Sequence, residues 1–139
     1  MTRYLLDTNI VSDVTKTRPS QALIAWMRER TEDEFFIASF TLAEIRRGIL
    51  GLSEGRKRRD FETWFEGAHG PRETFRGRIL PFDERAAMLW AELIAQGHAK
   101  GQPRSPLDMI IGATALANDC ALVTGNERHF WGFVLINPL

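Results

Sequence analysis

Five short apolar, β-prone runs punctuate the chain, at Tyr4-Leu5-Leu6, Phe35-Phe36-Ile37-Ala38, Ile79-Leu80, Ala121-Leu122-Val123 and Val134-Leu135-Ile136. Most lack the apolar–polar alternation of a half-exposed strand and so read as strands buried on both faces. Segments with helical spacing lie between them, and strands alternating with helices require a largely parallel sheet covered by helices on both sides. The expected fold is a three-layer α/β/α domain with a central sheet of four or five mainly parallel strands. At 139 residues the chain can bury one such core and is too short for a second, so a single domain over residues 1–139 is expected.

Helix starts are written in the local chemistry. Thr41-Leu42-Ala43-Glu44 fits a capping box, with Phe40 and Ile45 at the spacing of a hydrophobic staple. Ser105-Pro106-Leu107-Asp108 offers an N-cap, a proline at the first helical position and an acid in the first turn. Asp83 can cap a helix running to about Gly97 or Gly101, with Met88, Ala91, Ile94 and Ala95 expected inward. A further helix over Arg56 to Ala68 would set Phe61, Trp64, Phe65 and Ala68 on one face. Gly67 to Gly77 reads as a loop.

Composition narrows the function classes. Hydrophobic residues at 44% and charged residues at 26% are ordinary for a globular domain and exclude a disordered chain. Cys120, the only cysteine, excludes an internal disulfide and agrees with a reducing, cytoplasmic setting. Asp7 interrupts the N-terminus before a signal-peptide apolar region can form, so that segment is expected to enter the fold directly. The longest weakly polar stretch, Met109 to Leu116, falls well short of the roughly 20 residues of a membrane helix. Lysine plus arginine equal aspartate plus glutamate at 18 each, so any affinity for nucleic acid must come from local clusters. Arg46-Arg47 and Arg56-Lys57-Arg58-Arg59 are such clusters, readable either as solvated faces or as surfaces for phosphate or a partner. Trp26, Trp64, Trp90 and Trp131 read as core or dimer packing before base stacking.

Three carboxylates stand out by position. Asp7 follows the first strand directly, at the edge where open α/β sheets place their sites; it also fits a turn in which it bonds its own backbone. Glu44 and Asp108 lie near helix starts, where an acid can simply cap free N–H groups. All three nevertheless fall near element ends that a parallel sheet can gather, and carboxylates gathered in one site resist joint ionisation unless a cation neutralises them. With no cysteine or histidine cluster, such oxygen donors suit Mg²⁺ or Mn²⁺ rather than zinc. That chemistry is phosphodiester hydrolysis by a metal-activated water, with no covalent nucleophile from the protein. The glycine-rich phosphate loops of dinucleotide and P-loop proteins are missing. Asn9 stands where a dehalogenase-type phosphatase needs a second acid, and the paired early acids and late lysine of a receiver domain are not in place.

Taken in order, Leu5-Leu6-Asp7-Thr8-Asn9-Ile10, Ala43-Glu44-Ile45-Arg46-Arg47-Gly48, Ile79-Leu80-Pro81-Phe82-Asp83, Leu107-Asp108-Met109-Ile110-Ile111-Gly112-Ala113-Thr114-Ala115 and Leu122-Val123-Thr124-Gly125-Asn126 through Asn137-Pro138 resemble the successive motifs of PIN-domain VapC toxins, over nearly the whole chain. The resemblance implies an endoribonuclease whose metal-binding acids are Asp7, Glu44 and Asp108, with Thr8 and Asn9 orienting the first of them and Thr124 and Asn126 in support. It implies Mg²⁺, or Mn²⁺, as cofactor. It also implies a cognate VapB-type antitoxin, a toxin homodimer or higher toxin–antitoxin assembly, and DNA contact only through the antitoxin. Arg46 and Arg47 become candidates for RNA or antitoxin contacts.

The sequence departs from the family where a fourth acid usually follows the fourth strand. Here the stretch is Thr124-Gly125-Asn126-Glu127-Arg128-His129-Phe130, with His129 where an aspartate is common. Asn126, Glu127 and His129 are the possible replacements. A PIN module that binds RNA or antitoxin without cleaving is the competing reading that this departure supports.

Overall fold

Each of the five apolar runs forms a strand in the computed structural model, which describes residues 2–139. These are β1 (Tyr4–Leu6), β2 (Phe35–Ala38), β3 (Ile79–Leu80), β4 (Ala121–Val123) and β5 (Leu135–Ile136). Every pairing is parallel and the order across the sheet is β3-β2-β1-β4-β5. The chain therefore starts in the middle, builds outward through β2 to β3, then returns to the other side of β1 for β4 and β5. That reversal leaves a crevice beyond the carboxyl ends of β1 and β4, where ligands of open α/β sheets bind.

Successive strand residues point to opposite faces, and the two faces have separate cores. Leu5 and Leu122 face Ala86 and Leu93 of α6 (Glu84–Ala99) and Met109, Ile111 and Ala115 of α7 (Pro106–Ala117). Leu6, Val123, Phe35 and Ile37 face Ile10 and Val11 of α1 (Thr8–Val14) and Leu23 of α2 (Gln21–Arg28). Each fully buried Leu or Ile contributes about 1.5–3 kcal/mol relative to exposure, and the two sets of side chains hold the three layers together. α3 (Ser39–Leu50) follows β2 without a break and contributes to both cores, Phe40 to the first and Leu42 and Ile45 to the second.

The local signals succeed at α6 and α7. Asp83 accepts from the Ala86 N–H at 3.0 Å, and Ser105 Oγ accepts from the Asp108 N–H at 3.3 Å with Pro106 leading the helix. Other expectations need correction. α3 has Ala38 as its N-cap with no side-chain cap, so the capping box of Thr41 and Glu44 does not form. The strand runs straight into the helix, which places Thr41 and Glu44 inside it with side chains free for other partners. On α6 the inward stripe is Ala86, Leu93 and Gly97 with Leu89, Trp90 and Ile94; Met88, Ala91 and Ala95 are exposed. α4 (Arg56–Glu66) stops before Ala68, burying Phe65 and leaving Phe61 exposed. The segment expected as a loop contains one short helix, α5 (Pro71–Thr74), led by its proline.

Candidate active site

Asp7 directly follows β1, where its N–H donates to the Val123 carbonyl at 2.9 Å and its side chain caps α1. Oδ1 accepts from the Thr8 N–H at 2.8 Å, the local turn that the sequence allowed. Oδ2 accepts from Thr124 Oγ1, also at 2.8 Å, across the crevice between the ends of β1 and β4. Thr124 is itself fixed, since its Oγ1 accepts from the Asn126 N–H at 3.0 Å and its own N–H pairs with Ile136 at 3.0 Å. The Asp7 residue is only 4% exposed, so the turn and the site are the same structure.

Glu44 arrives from α3. Thr8 Oγ1 donates to Glu44 Oε1 at 2.6 Å and lies 3.1 Å from Thr41 Oγ1, which is fully buried. Thr8 thus holds Asp7 with its backbone and Glu44 with its hydroxyl. Asn9, expected to orient Asp7, instead accepts from the Gly125 N–H at 3.4 Å and ties α1 to the loop after β4. Asp108 arrives in the first turn of α7, with Oδ2 at 2.8 Å from Nδ1 of His129.

The three carboxylates act on one another. Burial pushes the Asp7 carboxyl up to about 6, the charges of Asp108 and Glu44 push it the same way, and the bonds from Thr124 and Thr8 oppose them. Among the described residues no three Asp, Glu, His or Cys groups close into a ready ligand cage. Each acid is instead bonded to a partner from another element. The donor set remains all oxygen and negative, the type that hard divalent cations take.

Of the three candidates to replace the fourth acid, Glu127 is engaged elsewhere, with Oε2 accepting from Asn137 Nδ2 at 3.1 Å. Asn126 contributes its backbone to Thr124. His129 reaches Asp108.

Beside Thr8 and Glu44 runs an open groove of about 480 Å³ between α1, α3 and α4, with Phe61 and Trp64 on one wall and the cations Lys16 and Lys57 along it. Arg46 leans from α3 toward Glu62 of α4 at 3.7 Å, and Arg58 binds the same carboxylate at 2.9 Å from within α4, so part of the basic cluster is engaged by Glu62. Lys16 carries no motif signal; it lines the groove that Glu44 also lines, with its Nζ 3.2 Å from Asp13 Oδ2.

A PIN domain profile matches residues 4–130. The chain belongs to the PIN domain family. That is the family whose VapC branch the ordered motifs resemble. The chain is 33% identical over 136 residues to the VapC ribonuclease Y4jK of Sinorhizobium fredii, covering 96% of each. It is 30% identical, at the same coverage, to the toxin FitB of Neisseria gonorrhoeae. The PIN fold described above superposes on the crystal structure of FitAcB from Neisseria gonorrhoeae with a TM-score of 0.86 and 28% identity, over 97% of both chains. It also matches DNA-bound VapBC from Salmonella typhimurium, with a TM-score of 0.76 and 25% identity over the full length of both.

Proposed function

We propose that this PIN domain is a divalent-metal-dependent endoribonuclease acting as the toxin of a VapBC-type toxin–antitoxin pair. The observation that carries the reading is the Asp7 carboxyl, raised by burial first and further by the charges of Asp108 and Glu44, and gripped by Thr124 and Thr8. A buried carboxylate beside two others is unfavourable on its own and becomes favourable around a cation.

Asp7, Glu44 and Asp108 would hold the ion. When bound, a divalent cation supplies Lewis-acid polarisation of the phosphoryl oxygen and a water acidic enough to attack near neutral pH. The chain's own residues do the positioning. Thr124 and Thr8 fix the acids, and Lys16 and Lys57 offer charge to an RNA backbone lying in the groove. Arg46 and Arg47 face either the same RNA or an antitoxin. The names of the similar proteins, a VapC ribonuclease and a toxin, support both halves of the reading. A VapB-type partner, an assembly of at least two toxin chains, DNA contact through the antitoxin alone and a cytoplasmic site of action complete it.

Cleavage of a defined RNA by the purified protein tests the proposal, with Mg²⁺ or Mn²⁺, with chelator, and after Asp7→Asn or Asp108→Asn. The expected result is metal-dependent internal cleavage, lost by on the order of 100-fold in either variant, the scale of removing one transition-state charge stabiliser. Equal cleavage by wild type and both variants would assign the activity to a contaminant. Tight RNA or antitoxin binding with no cleavage under any metal would establish the non-cleaving module instead.

A further inference from the structure

His129 stands where the resemblance leads one to expect an acid. The 3-10 turn Glu127–Phe130 carries it there: Phe130 is fully buried against α7, and the His129 N–H donates to the Asn126 carbonyl at 3.1 Å. Packing fixes this backbone, while the His129 side chain is 56% exposed. The ring takes its direction from Asp108, whose Oδ2 lies 2.8 Å from Nδ1.

The other two acids are held the same way. Thr124 of the β4 loop grips one oxygen of Asp7, and Thr8 of α1 grips one oxygen of Glu44. In both cases a donor from a different element fixes one carboxylate oxygen, and the partner in the corresponding place beside Asp108 is His129.

We propose that His129 is a positioning residue, which donates Nδ1–H to Asp108 Oδ2 and so leaves Oδ1 of that carboxylate presented to the cation. The inference rests on the metal-dependent reading above and adds what this chain uses in place of a fourth acid. An imidazole in place of a carboxylate spares the site one negative charge and its repulsion, so cation affinity depends more on how the three remaining carboxylates are oriented. Donors that orient ligating carboxylates are worth about 10–100-fold in metal affinity.

Mn²⁺ binding to the RNA-free protein, measured by calorimetry, tests this without relying on cleavage. Asparagine places its amide N–H near the position of Nδ1, whereas glutamine places it near Nε2. The expected result is about tenfold weaker Mn²⁺ binding in His129→Ala and His129→Gln, and binding within about threefold of wild type in His129→Asn. Cleavage by His129→Ala should then recover as Mn²⁺ is raised, with KM for RNA unchanged.

Unaltered Mn²⁺ affinity in His129→Ala would overturn the assignment, as would rescue by glutamine in place of asparagine. Should the alanine variant fail to fold, ¹⁵N spectra of the wild-type imidazole at pH 8 decide the matter, because the partner of a histidine sets which nitrogen bears the proton. A proton on Nδ1 supports the proposal, and a proton on Nε2 alone refutes it. If wild type binds no more Mn²⁺ than Asp7→Asn, the nuclease reading falls together with this one. If wild type binds Mn²⁺ and His129→Ala matches it, only this one falls.

Discussion

The groups that act on Asp7 are two hydrogen-bond donors and two further carboxylates, and burial outweighs the donors. Its pKa is raised from 3.8 to about 6 on folding. Below pH 3.8 the carboxyl is protonated in both folded and unfolded chains, and above about 6 it is ionised in both, so the folded state bears the full cost only at the higher pH. Stability from this group is thus lost as pH rises through that window. A shift of roughly two units corresponds to about 3 kcal/mol. Asp7→Asn should therefore stabilise the metal-free protein by about 1–3 kcal/mol at pH 8, an advantage that fades toward pH 4. Denaturant melts with chelator at the two pH values check this. An unchanged midpoint at pH 8 would mean the acid is relieved in some other way. The variant that gains stability is the one expected to lose cleavage, which is how a site under charge strain behaves.

At the scale of elements, two junctions hold helices in place, and the first also carries one of the acids. Ser105 caps α7 three residues before Asp108 completes the first turn. Ser105→Ala should cost about 1 kcal/mol and should weaken Mn²⁺ binding as well, because fraying of that turn moves the ligand. A loss of stability with metal affinity intact would separate the cap from the site. The second junction is Gly70, between α4 and α5, where an added Cβ would sit 2.1 Å from the Trp64 carbonyl oxygen and 2.6 Å from that of Phe65. Backbone cannot yield as a side-chain tip can, so Gly70→Ala should destabilise by about 3 kcal/mol, at the upper end for overpacking. A fall in the urea midpoint at constant slope is the expected signature. Gly112, by contrast, faces the rim of the Phe133 ring at 2.8 Å, where a rotation can make room, so Gly112→Ala is the milder change.

For the molecule as a whole, binding to the folded state alone raises stability by mass action. Mn²⁺ at about 100 times its Kd should add about 2.7 kcal/mol to wild type. Chelator should reverse the gain, and Asp7→Asn should show little of it; thermal melts across a Mn²⁺ series read both. An equal rise in both proteins would place the ion elsewhere. The sheet order makes this coupling possible, because the ion would join acids at or near the starts of α1, α3 and α7, and β1 lies between β2 and β4.

The strands and the starts of α6 and α7 were legible because their causes are local: apolar runs without alternation, and Asp83 and Ser105 within three residues of the N–H groups they cap. The three acids were singled out as members of ordered motifs rather than by their individual surroundings, each of which also fits a turn or a cap. The partners of those acids were not. Thr124 meets Asp7 across 117 residues of chain, Thr8 meets Glu44 across 36 and His129 meets Asp108 across 21. Such bonds follow from strand order and from which way a helix leaves its strand, and neither is encoded in spacing. The same cause lies behind the misplaced face of α6 and the capping box that did not form. Helical periodicity is satisfied by more than one stripe, and a polar pair near a helix start serves equally as a cap or as a bridge to another element. Local sequence thus determined the class of fold and singled out three acids as candidates. Tertiary packing alone decided which of their oxygens are held, and by which partners.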